Sequence, residues 1–208
     1  TVSPPEPESE SEPEPESEPE SRPESEPKQP PAPRPTPEAL VNKDDALTRI
    51  KLLLKKEGCS QTDILNACLD AISTDYQMSK VSLFLLSRDK QNLQNRMFRG
   101  VEEESPFRKY KIELAKAGLL KILLNKPQAI WINSVNFKKY QHMIPTSLLA
   151  SIMTNNFMAM SLFIGVKPIG IIYADRAGCA QAIDDSAFVQ FKSLISLTSK
   201  ALTLLAKK

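Results

Sequence analysis

Residues 157–176 read FMAMSLFIGVKPIGIIYADR, two apolar runs separated by Gly165-Val166-Lys167-Pro168. Gly and Pro interrupt the hydrogen bonding of a strand, and the Lys side chain prefers water, so this spacer is typical of a tight connection. The flanking runs are rich in residues that favour strands. The pattern predicts an antiparallel hairpin that is central to the fold.

The 208 residues fall into two parts of unlike composition. Residues 1–38 hold 11 glutamates against Arg22, Lys28 and Arg34, a net charge of −8, and 13 of the 17 prolines. They contain no aromatic residue, Ile or Leu, so burial cannot offset the entropy lost on ordering. We therefore predict a disordered acidic Pro/Glu-rich linker over residues 1–40. An acidic arm that docks on the basic remainder of the chain is the alternative.

Residues 41–208 are long enough to form one domain and too short to form two domains that each have a sufficient hydrophobic core. We therefore predict a single domain over this range. Residues 39–208 carry 24 basic and 14 acidic side chains, a net charge of +10. No apolar run approaches the roughly 20 residues that cross a bilayer, and the N-terminus has no signal-peptide pattern, so we expect no membrane contact and a cytoplasmic location. The first residue is not Met, so we expect an excerpt that another domain precedes.

Cysteine and histidine usage argues against metal or acid-base chemistry. Cys59, Cys68 and Cys179 are odd in number, without CxxC spacing, and His142 is the single histidine. No G-x-S-x-G, H-E-x-x-H or Walker pattern accompanies them. The sequence therefore predicts reduced structural thiols, no metal, no cofactor and no enzyme activity.

The domain begins with two stretches of helical spacing, KDDALTRIKLLLKKEG (43–58) and SQTDILNACLDAISTDY (60–76). Gly58 is placed to end the first, and Ser60 to cap the second with Asp63 three residues on. Strands are then predicted in KVSLFLLSRD (80–89), LQNRMFRGVE (93–102), YKIEL (110–114) and QAIWIN (128–133). A helix is expected over 117–125, helical turns and loop over 134–156, and a last helix that Asp184-Asp185 opens.

The last helix carries two adjacent apolar stripes. One consists of Phe188, Phe191, Ile195, Leu202 and Leu205, and the other of Leu194, Leu197, Ala201 and Leu204. One stripe is enough to dock a helix on a sheet, so the second is predicted to pair with the first helix or with a second protomer. We name Leu194, Leu197, Ala201 and Leu204 as the dimer helix, with packing in the domain core as the alternative.

The order of elements is typical of an α+β fold. Residues 45–208 resemble a GAF domain, the small-molecule sensing and dimerisation module, through VSLFLLSRDKQNL (81–93) and the hairpin at 157–176. Within the hairpin, Pro168-Ile169-Gly170 and Tyr173-Ala174-Asp175-Arg176 resemble the closing strand of the family. WIN (131–133) and YADR (173–176) resemble, more narrowly, the GAF-type domain that ends certain bacterial HDOD signalling proteins.

The resemblance implies a GAF/PAS-like central antiparallel sheet flanked by helices, with the hairpin in its middle and both faces covered. We interpret Asp175-Arg176 as a structural ion pair or a turn, since exposed ion pairs are common and individually weak, with a ligand or partner contact as the alternative. A ligand pocket is expected between the sheet and the 128–156 segment. Its predicted lining residues are Trp131, Asn133, Phe137, Tyr140 and Phe157.

Known GAF ligand motifs are incomplete in this chain. Asn125-Lys126 and Phe137 resemble part of the cyclic-nucleotide motif, but Gln141 and His142 stand where the motif has acids. His142 adjoins no cysteine, so the resemblance does not extend to bilin attachment. We therefore expect an unidentified small molecule, a homodimer and an upstream HDOD domain as partners. Nucleic acid is not expected, because RKYK (108–111) and FKKY (137–140) are short and typical of solvated faces.

The sequence thus predicts a non-catalytic regulatory or sensory GAF-like domain of a bacterial signal transduction protein. It binds a small ligand or mediates dimerisation and partner contacts. Two alternatives stay open: a degenerate GAF domain that acts only as a structural interaction module, and a thiol-based methionine sulfoxide reductase. The second alternative depends on the three cysteines and on a GAF-fold enzyme family with that activity.

Overall fold

The computed structural model describes residues 45–207. The predicted linker at residues 1–40 lies outside them and stays a prediction. The described helices are α1 (Asp45–Lys55), α2 (Gln61–Thr74), α3 (Gly118–Leu123), α4 (Phe137–Tyr140), α5 (Thr146–Ile152) and α6 (Asp185–Leu205). The strands are β1 (Lys80–Leu86), β2 (Asn92–Arg99), β3 (Lys111–Glu113), β4 (Ala129–Ile132), β5 (Phe157–Ile164) and β6 (Lys167–Asp175). Short 3₁₀ turns lie at Pro106–Lys109, Leu114–Lys116 and Gln141–Met143.

The six strands form one sheet in the order β3-β2-β1-β6-β5-β4, and neighbouring strands are antiparallel. The predicted hairpin is confirmed as β5 and β6, and neither strand lies at an edge. Its register runs from Phe157 opposite Asp175 to Ile164 opposite Lys167, with an irregularity at Leu162/Phe163. Gly165 occupies the turn with a φ of 60°, a conformation that glycine adopts without strain.

The predicted helix ends match the local chemistry. Ser60 and Asp63 form a reciprocal capping box at the start of α2, in which each side chain accepts the other residue's backbone N–H. Gly58 has a φ of 73° in the turn between α1 and α2. Asp184 caps α6 by accepting the Ala187 N–H at 2.7 Å.

The two faces of the sheet carry separate cores. Helices α1, α2 and α6 contact one another, and their buried residues, such as Ile50, Cys68 and Ile195, pack on the helix face. Residues 105–156 supply buried side chains such as Phe107 and Leu119 to the opposite face, called here the covered face. Burial of one such large apolar side chain contributes roughly 1.5–3 kcal/mol. Both faces are therefore dry, which explains why β5 and β6 are apolar without alternation.

The two stripes of α6 are both used inside the domain. Leu194 and Ala201, predicted at a dimer face, are 0% exposed and belong to the helix-face core, so they are not available to a second protomer. Leu197 is half-buried against the same core, while Leu204 is 55% exposed. The alternative of core packing accounts for most of the stripe because α6 packs against β5, α1 and α2 at once. A dimer contact through Leu204 stays a prediction.

Among residues 45–207, no helix has both the length and the apolar character that a membrane span requires.

Candidate functional site

The covered face is the candidate site because it combines a closed aromatic cluster with buried polar groups. Alternation along β6 points Ile172 and Ala174 to the helix core and Ile171 and Tyr173 to the covered face. Residues 105–156 contribute α3, α4, α5 and three 3₁₀ turns to the layer above it. The site is therefore built from the central strands below and an irregular, mostly helical layer above.

Aromatic rings fill the centre of the covered face. The Phe107 ring centroid lies 5.7 Å from Phe84, 6.3 Å from Tyr110 and 6.0 Å from Tyr173. Phe157 lies 5.3 Å from Tyr173 in a tilted contact. These separations are those of favourable ring pairs. Phe107, on the 3₁₀ turn at Pro106–Lys109, thus packs over strands β1 and β6 and covers this face with the chain's own side chains.

A buried polar network lies at the end of β6. Asp175 is 0% exposed, and its carboxylate accepts hydrogen bonds from the Tyr173 hydroxyl and from the Ala177 N–H at 2.9 Å. Ser79 Oγ lies 3.3 Å from Asp175 Oδ1 and 3.0 Å from the Ala177 carbonyl oxygen. Burial, together with the adjacent Asp175 charge, raises the pKa of Tyr173 well above its ordinary value. Tyr173 therefore stays a neutral donor to Asp175.

Asp175 and Arg176 form a turn, and neither takes part in an ion pair among residues 45–207. Asp175 turns inward, and its side chain bonds the backbone of Ala177 two residues on. Arg176 turns the other way and donates to the carbonyl oxygens of Ala182, at 2.6 Å, and Tyr76, at 2.9 Å. The pair therefore pins the exit of β6 to two neighbouring loops. Of the two structural interpretations offered for this pair, the turn is therefore observed and the ion pair is not.

Asn95 introduces an unpartnered acceptor into the covered face. Its Nδ2 donates to the Phe107 carbonyl at 2.8 Å and to Ser82 Oγ at 3.3 Å. Its Oδ1 is buried without a hydrogen-bond partner, and the residue as a whole is 7% exposed. An unsatisfied buried oxygen costs about 1–3 kcal/mol. Asn95 is not among the predicted site residues, although a polar residue between Leu93 and Met97 of a predicted strand is a usable signal.

The predicted pocket residues do not form one set. Phe137 and Tyr140 are half-buried against the core of the covered face, and Phe157 is 2% exposed within it. Trp131 lies on the helix face instead, with its ring 6.0 Å from Phe188 of α6. Its face is set by alternation along β4, since the neighbouring Ile132 belongs to the covered-face core.

Asn133 has a local structural role. Its Oδ1 accepts the backbone N–H groups of Val135, at 3.0 Å, and Asn136, at 3.2 Å, and so builds the turn before α4. Trp131 Nε1 similarly donates to Asn156 Oδ1 at 2.9 Å, across the start of β5. The structure therefore brings Phe137, Tyr140 and Phe157 to the covered side and places Trp131 and Asn133 in other contacts. Ligand contact by any of the five stays a prediction.

The three thiols lie in different environments. Cys68 is 0% exposed in the helix core, where burial raises the pKa of its thiol to about 12. Cys59 is half-buried, and Cys179 is exposed. Within residues 45–207, no group of three or more His, Cys, Asp or Glu side chains is arranged to hold a metal ion.

The sequence matches no family model and no curated protein. Solved structures are similar to it in fold. The GAF domain of an Acinetobacter phosphoenolpyruvate-protein phosphotransferase has a TM-score of 0.56 at 14% identity, over 83% of this chain and 96% of that one. The GAF domain/HD domain protein from Geobacter sulfurreducens has a TM-score of 0.57 at 12% identity, over 73% and 97%.

A third similar structure is the free methionine-R-sulfoxide reductase from Neisseria meningitidis, with a TM-score of 0.56 at 16% identity over 83% and 96% of the two chains. At such low identities the likeness concerns the fold and not the activity. The predicted α+β architecture with a central antiparallel sheet and flanking helices is confirmed. Together, the six-stranded sheet, its two covered faces and these neighbours show that residues 45–207 have the GAF fold.

Proposed function

We propose that this chain contains a non-catalytic regulatory domain of a signalling protein, in which a small molecule on the covered face biases the packing of the helices. The observation that carries the proposal is the Asn95 Oδ1 atom, a buried acceptor without a donor. A ligand that donates a hydrogen bond there recovers the desolvation cost of that oxygen. Among residues 45–207, the other buried side-chain atom without a hydrogen-bond partner is Arg176 Nε, which lies at the exit of β6.

The sheet provides the route from ligand to output. Each central strand presents alternate side chains to the covered face and to the helix core, as Tyr173 and Ala174 do on β6. A ligand beside Asn95 has to displace Phe107, because that ring and the Phe107 carbonyl occupy the space around the amide. Displacement of Phe107 alters its contacts with β1 and β6, against which the helices pack. The mechanism is a population shift between two packings.

An interaction module is the second candidate function. The aromatic cluster of Phe84, Phe107, Phe157 and Tyr173 already fills the centre of the covered face. A domain of this kind binds partners or a second copy through its outer surfaces and needs no small molecule. We propose that any homodimer of this chain forms through exposed positions such as Leu204, since Leu194 and Ala201 are buried.

The environment of Cys68 argues against a catalytic role for that thiol. Reductive chemistry on a sulfoxide needs an accessible thiolate, and Cys68 is fully buried with a pKa of about 12. Because Cys179 is exposed and Cys59 is half-buried, the reductase activity in the name of the Neisseria protein stays an alternative for this chain, which we rank below the regulatory function. Loss of free methionine sulfoxide turnover in a Cys59→Ser or Cys179→Ser variant, relative to an active wild type, would reverse this ranking.

The cellular location, the neighbouring domain and the partners of this chain are also proposals. We propose a cytoplasmic signalling protein in which an HDOD-type domain precedes the GAF fold, as WIN and YADR first indicated. The Geobacter protein, whose name combines a GAF domain with an HD domain, supports such a pairing. We propose no nucleic-acid partner. Tyr110 is engaged in the domain, since its ring stacks on Phe107 and its hydroxyl donates to Ser147 Oγ at 2.6 Å, so one face of the ring is not available to a base.

Native mass spectrometry of the purified full chain tests the ligand proposal. We expect a noncovalent mass that is lost on denaturation and reduced in Asn95→Ala. Gln94→Ala is the matched control, because Gln94 is the preceding residue of β2 and bonds the exposed Arg96 at 2.6 Å. Equal retention of the mass in both variants would contradict a role for Asn95. A bare protein in every sample would favour the interaction module.

A further inference from the structure

A groove on the helix face lies outside the candidate site described above. It runs between the second half of α6 and the end of β5 and has a volume of about 600 Å³. Met160 and Phe163 form its floor and are 6% and 5% exposed, Pro127 lies at one side, and Leu204 of α6 is 55% exposed on the wall. The volume is that of a typical small-molecule site, and these residues offer mainly apolar contact.

The backbone donors beside the groove are already engaged by α6. Phe163 N–H donates to Ser199 Oγ at 3.3 Å, and Gly165 N–H donates to Thr203 Oγ1 at 2.8 Å. These two amides at the end of β5 are therefore not available to an added strand, which would need them for pairing. Recognition in this groove has to come from apolar contact and from charge.

The charge around the groove has a single sign. Residues 126–127, 160–167 and 196–207 form or flank its walls and contain Lys126, Lys167, Lys200 and Lys207 but no Asp or Glu. Lys200 lines the groove itself, and its side chain takes part in none of the ion pairs of residues 45–207. An apolar floor with a cationic rim complements a molecule that has an apolar body and one negative group.

We propose that this α6 groove binds a small amphipathic carboxylate, an acyl chain that ends in a carboxylate group. The acyl chain of the ligand lies on Met160, Phe163 and Leu204, and its carboxylate lies at Lys200. The site is independent of the covered face, because α6 packs on the opposite face of the sheet. Binding of an acyl ligand in this groove would act directly on α6, the longest helix among residues 45–207.

Isothermal titration of the full chain with dodecanoate, below its micelle concentration, tests the proposal. We expect one saturable site per chain and a rise in melting temperature, because the ligand binds the folded state. Lys200→Glu is expected to weaken dodecanoate binding about fivefold or more, since it replaces an attraction by a repulsion. Lys192→Glu is the matched control on the same helix; Lys192 packs over the Phe188 ring, 4.9 Å from its centroid.

Two further comparisons separate the contribution of the ligand's alkyl chain to binding from that of its charged head group. Dodecyltrimethylammonium has the same chain with a positive head, so it is expected to bind the wild type more weakly than dodecanoate and to gain affinity in Lys200→Glu. Ser196→Phe places a ring in the groove and is expected to abolish binding of both compounds. Ser196 is only half-buried, and circular dichroism of this variant checks that it folds.

Several results would overturn the proposal. These are absence of saturable dodecanoate binding, equal effects of Lys200→Glu and Lys192→Glu, and unchanged affinity in a folded Ser196→Phe variant. A fall in melting temperature with dodecanoate would identify it as a denaturing detergent. Sedimentation velocity provides the last test: if the wild type is a dimer that Leu204→Glu dissociates, and dodecanoate binds neither form, a second copy occupies the groove instead.

Discussion

Tyr173 donates its hydroxyl hydrogen to the carboxylate of Asp175, two residues further along the same face of β6, and both side chains are buried. The same carboxylate accepts the Ala177 N–H at 2.9 Å, so one anion ties the strand to the loop that leaves it. A buried carboxylate is tolerated only when donors surround it. The relationship makes the end of β6 a structural anchor of the GAF fold in this chain.

Tyr173→Phe removes one donor from the buried Asp175 carboxylate. We expect a loss of about 1–3 kcal/mol in the free energy of unfolding, because a buried charged acceptor is left short of a partner. Urea denaturation followed by circular dichroism measures it. Tyr140→Phe is the control, since Tyr140 is half-buried at the covering layer. Equal stability of the two variants would show that Asp175 is held by its other donors.

Stability is expected to fall at alkaline pH because burial keeps three acidic groups neutral. The pKa of Cys68 and of Tyr76 is raised to about 12, and that of Tyr173 also lies well above its ordinary value. A raised folded-state pKa contributes stability that is complete below the unfolded value, 9.0 for Cys68 and 10.0 for Tyr76. That stability is lost as the pH rises from there toward the folded value.

Thermal denaturation between about pH 8 and pH 11 measures this loss. Tyr76→Phe removes one of the three titrations, so its stability should fall by about 1 kcal/mol less than that of the wild type at the upper end. A wild-type profile that is flat across this range would mean that the three groups titrate normally.

Thiol labelling should follow burial. We expect Cys179 to react with iodoacetamide first, Cys59 more slowly, and Cys68 only after unfolding, because Cys68 is 0% exposed and its thiol resists ionisation. Peptide mass mapping of a labelling time course gives the three rates separately. Rapid labelling of Cys68 in the folded chain would reveal local opening of α2 from α6.

Gly170 lets β6 approach β1 closely. A Cβ atom there would lie 2.2 Å from the Phe84 carbonyl oxygen, so Gly170→Ala forces the two strands apart. We expect a loss of roughly 1–3 kcal/mol, as for other overpacked sites. Gly118→Ala is the control, because its Cβ would meet Met143 at an ordinary 3.7 Å on the helix α3. Similar unfolding midpoints for both variants would contradict the close approach.

Sequence patterns predicted the elements well where local chemistry sets them. The hairpin at 157–176 follows from two strand-forming runs around a Gly and Pro connection, and the start of α2 follows from the Ser60 and Asp63 cap. The pairing of β2 with β1 is not predictable in the same way, because an irregularity beside Leu83/Phe84 changes the register between the two strands. Local rules cannot place such a bulge, since it depends on the partner strand.

The candidate site was harder to predict for the same reason. Three of the predicted pocket residues lie on the covered side, namely Phe137, Tyr140 and Phe157. Trp131 faces α6 instead, because β4 presents the neighbouring Ile132 to the covered face. The face that a strand residue occupies depends on the register with β5, and one residue of shift reverses it. The buried Asn95 oxygen likewise becomes conspicuous only when Phe107 covers it.

The sequence by itself determined the secondary structure, the central hairpin and the α+β class, because periodicity, turn residues and caps act over a few neighbouring positions. Only the tertiary structure decided that Leu194 and Ala201 are buried in the domain, that Asp175 and Arg176 turn to different partners, and that Leu204 lies beside an apolar groove. These outcomes depend on which surfaces meet across the sheet. Contacts between residues distant in the chain set them, and no local pattern encodes such contacts.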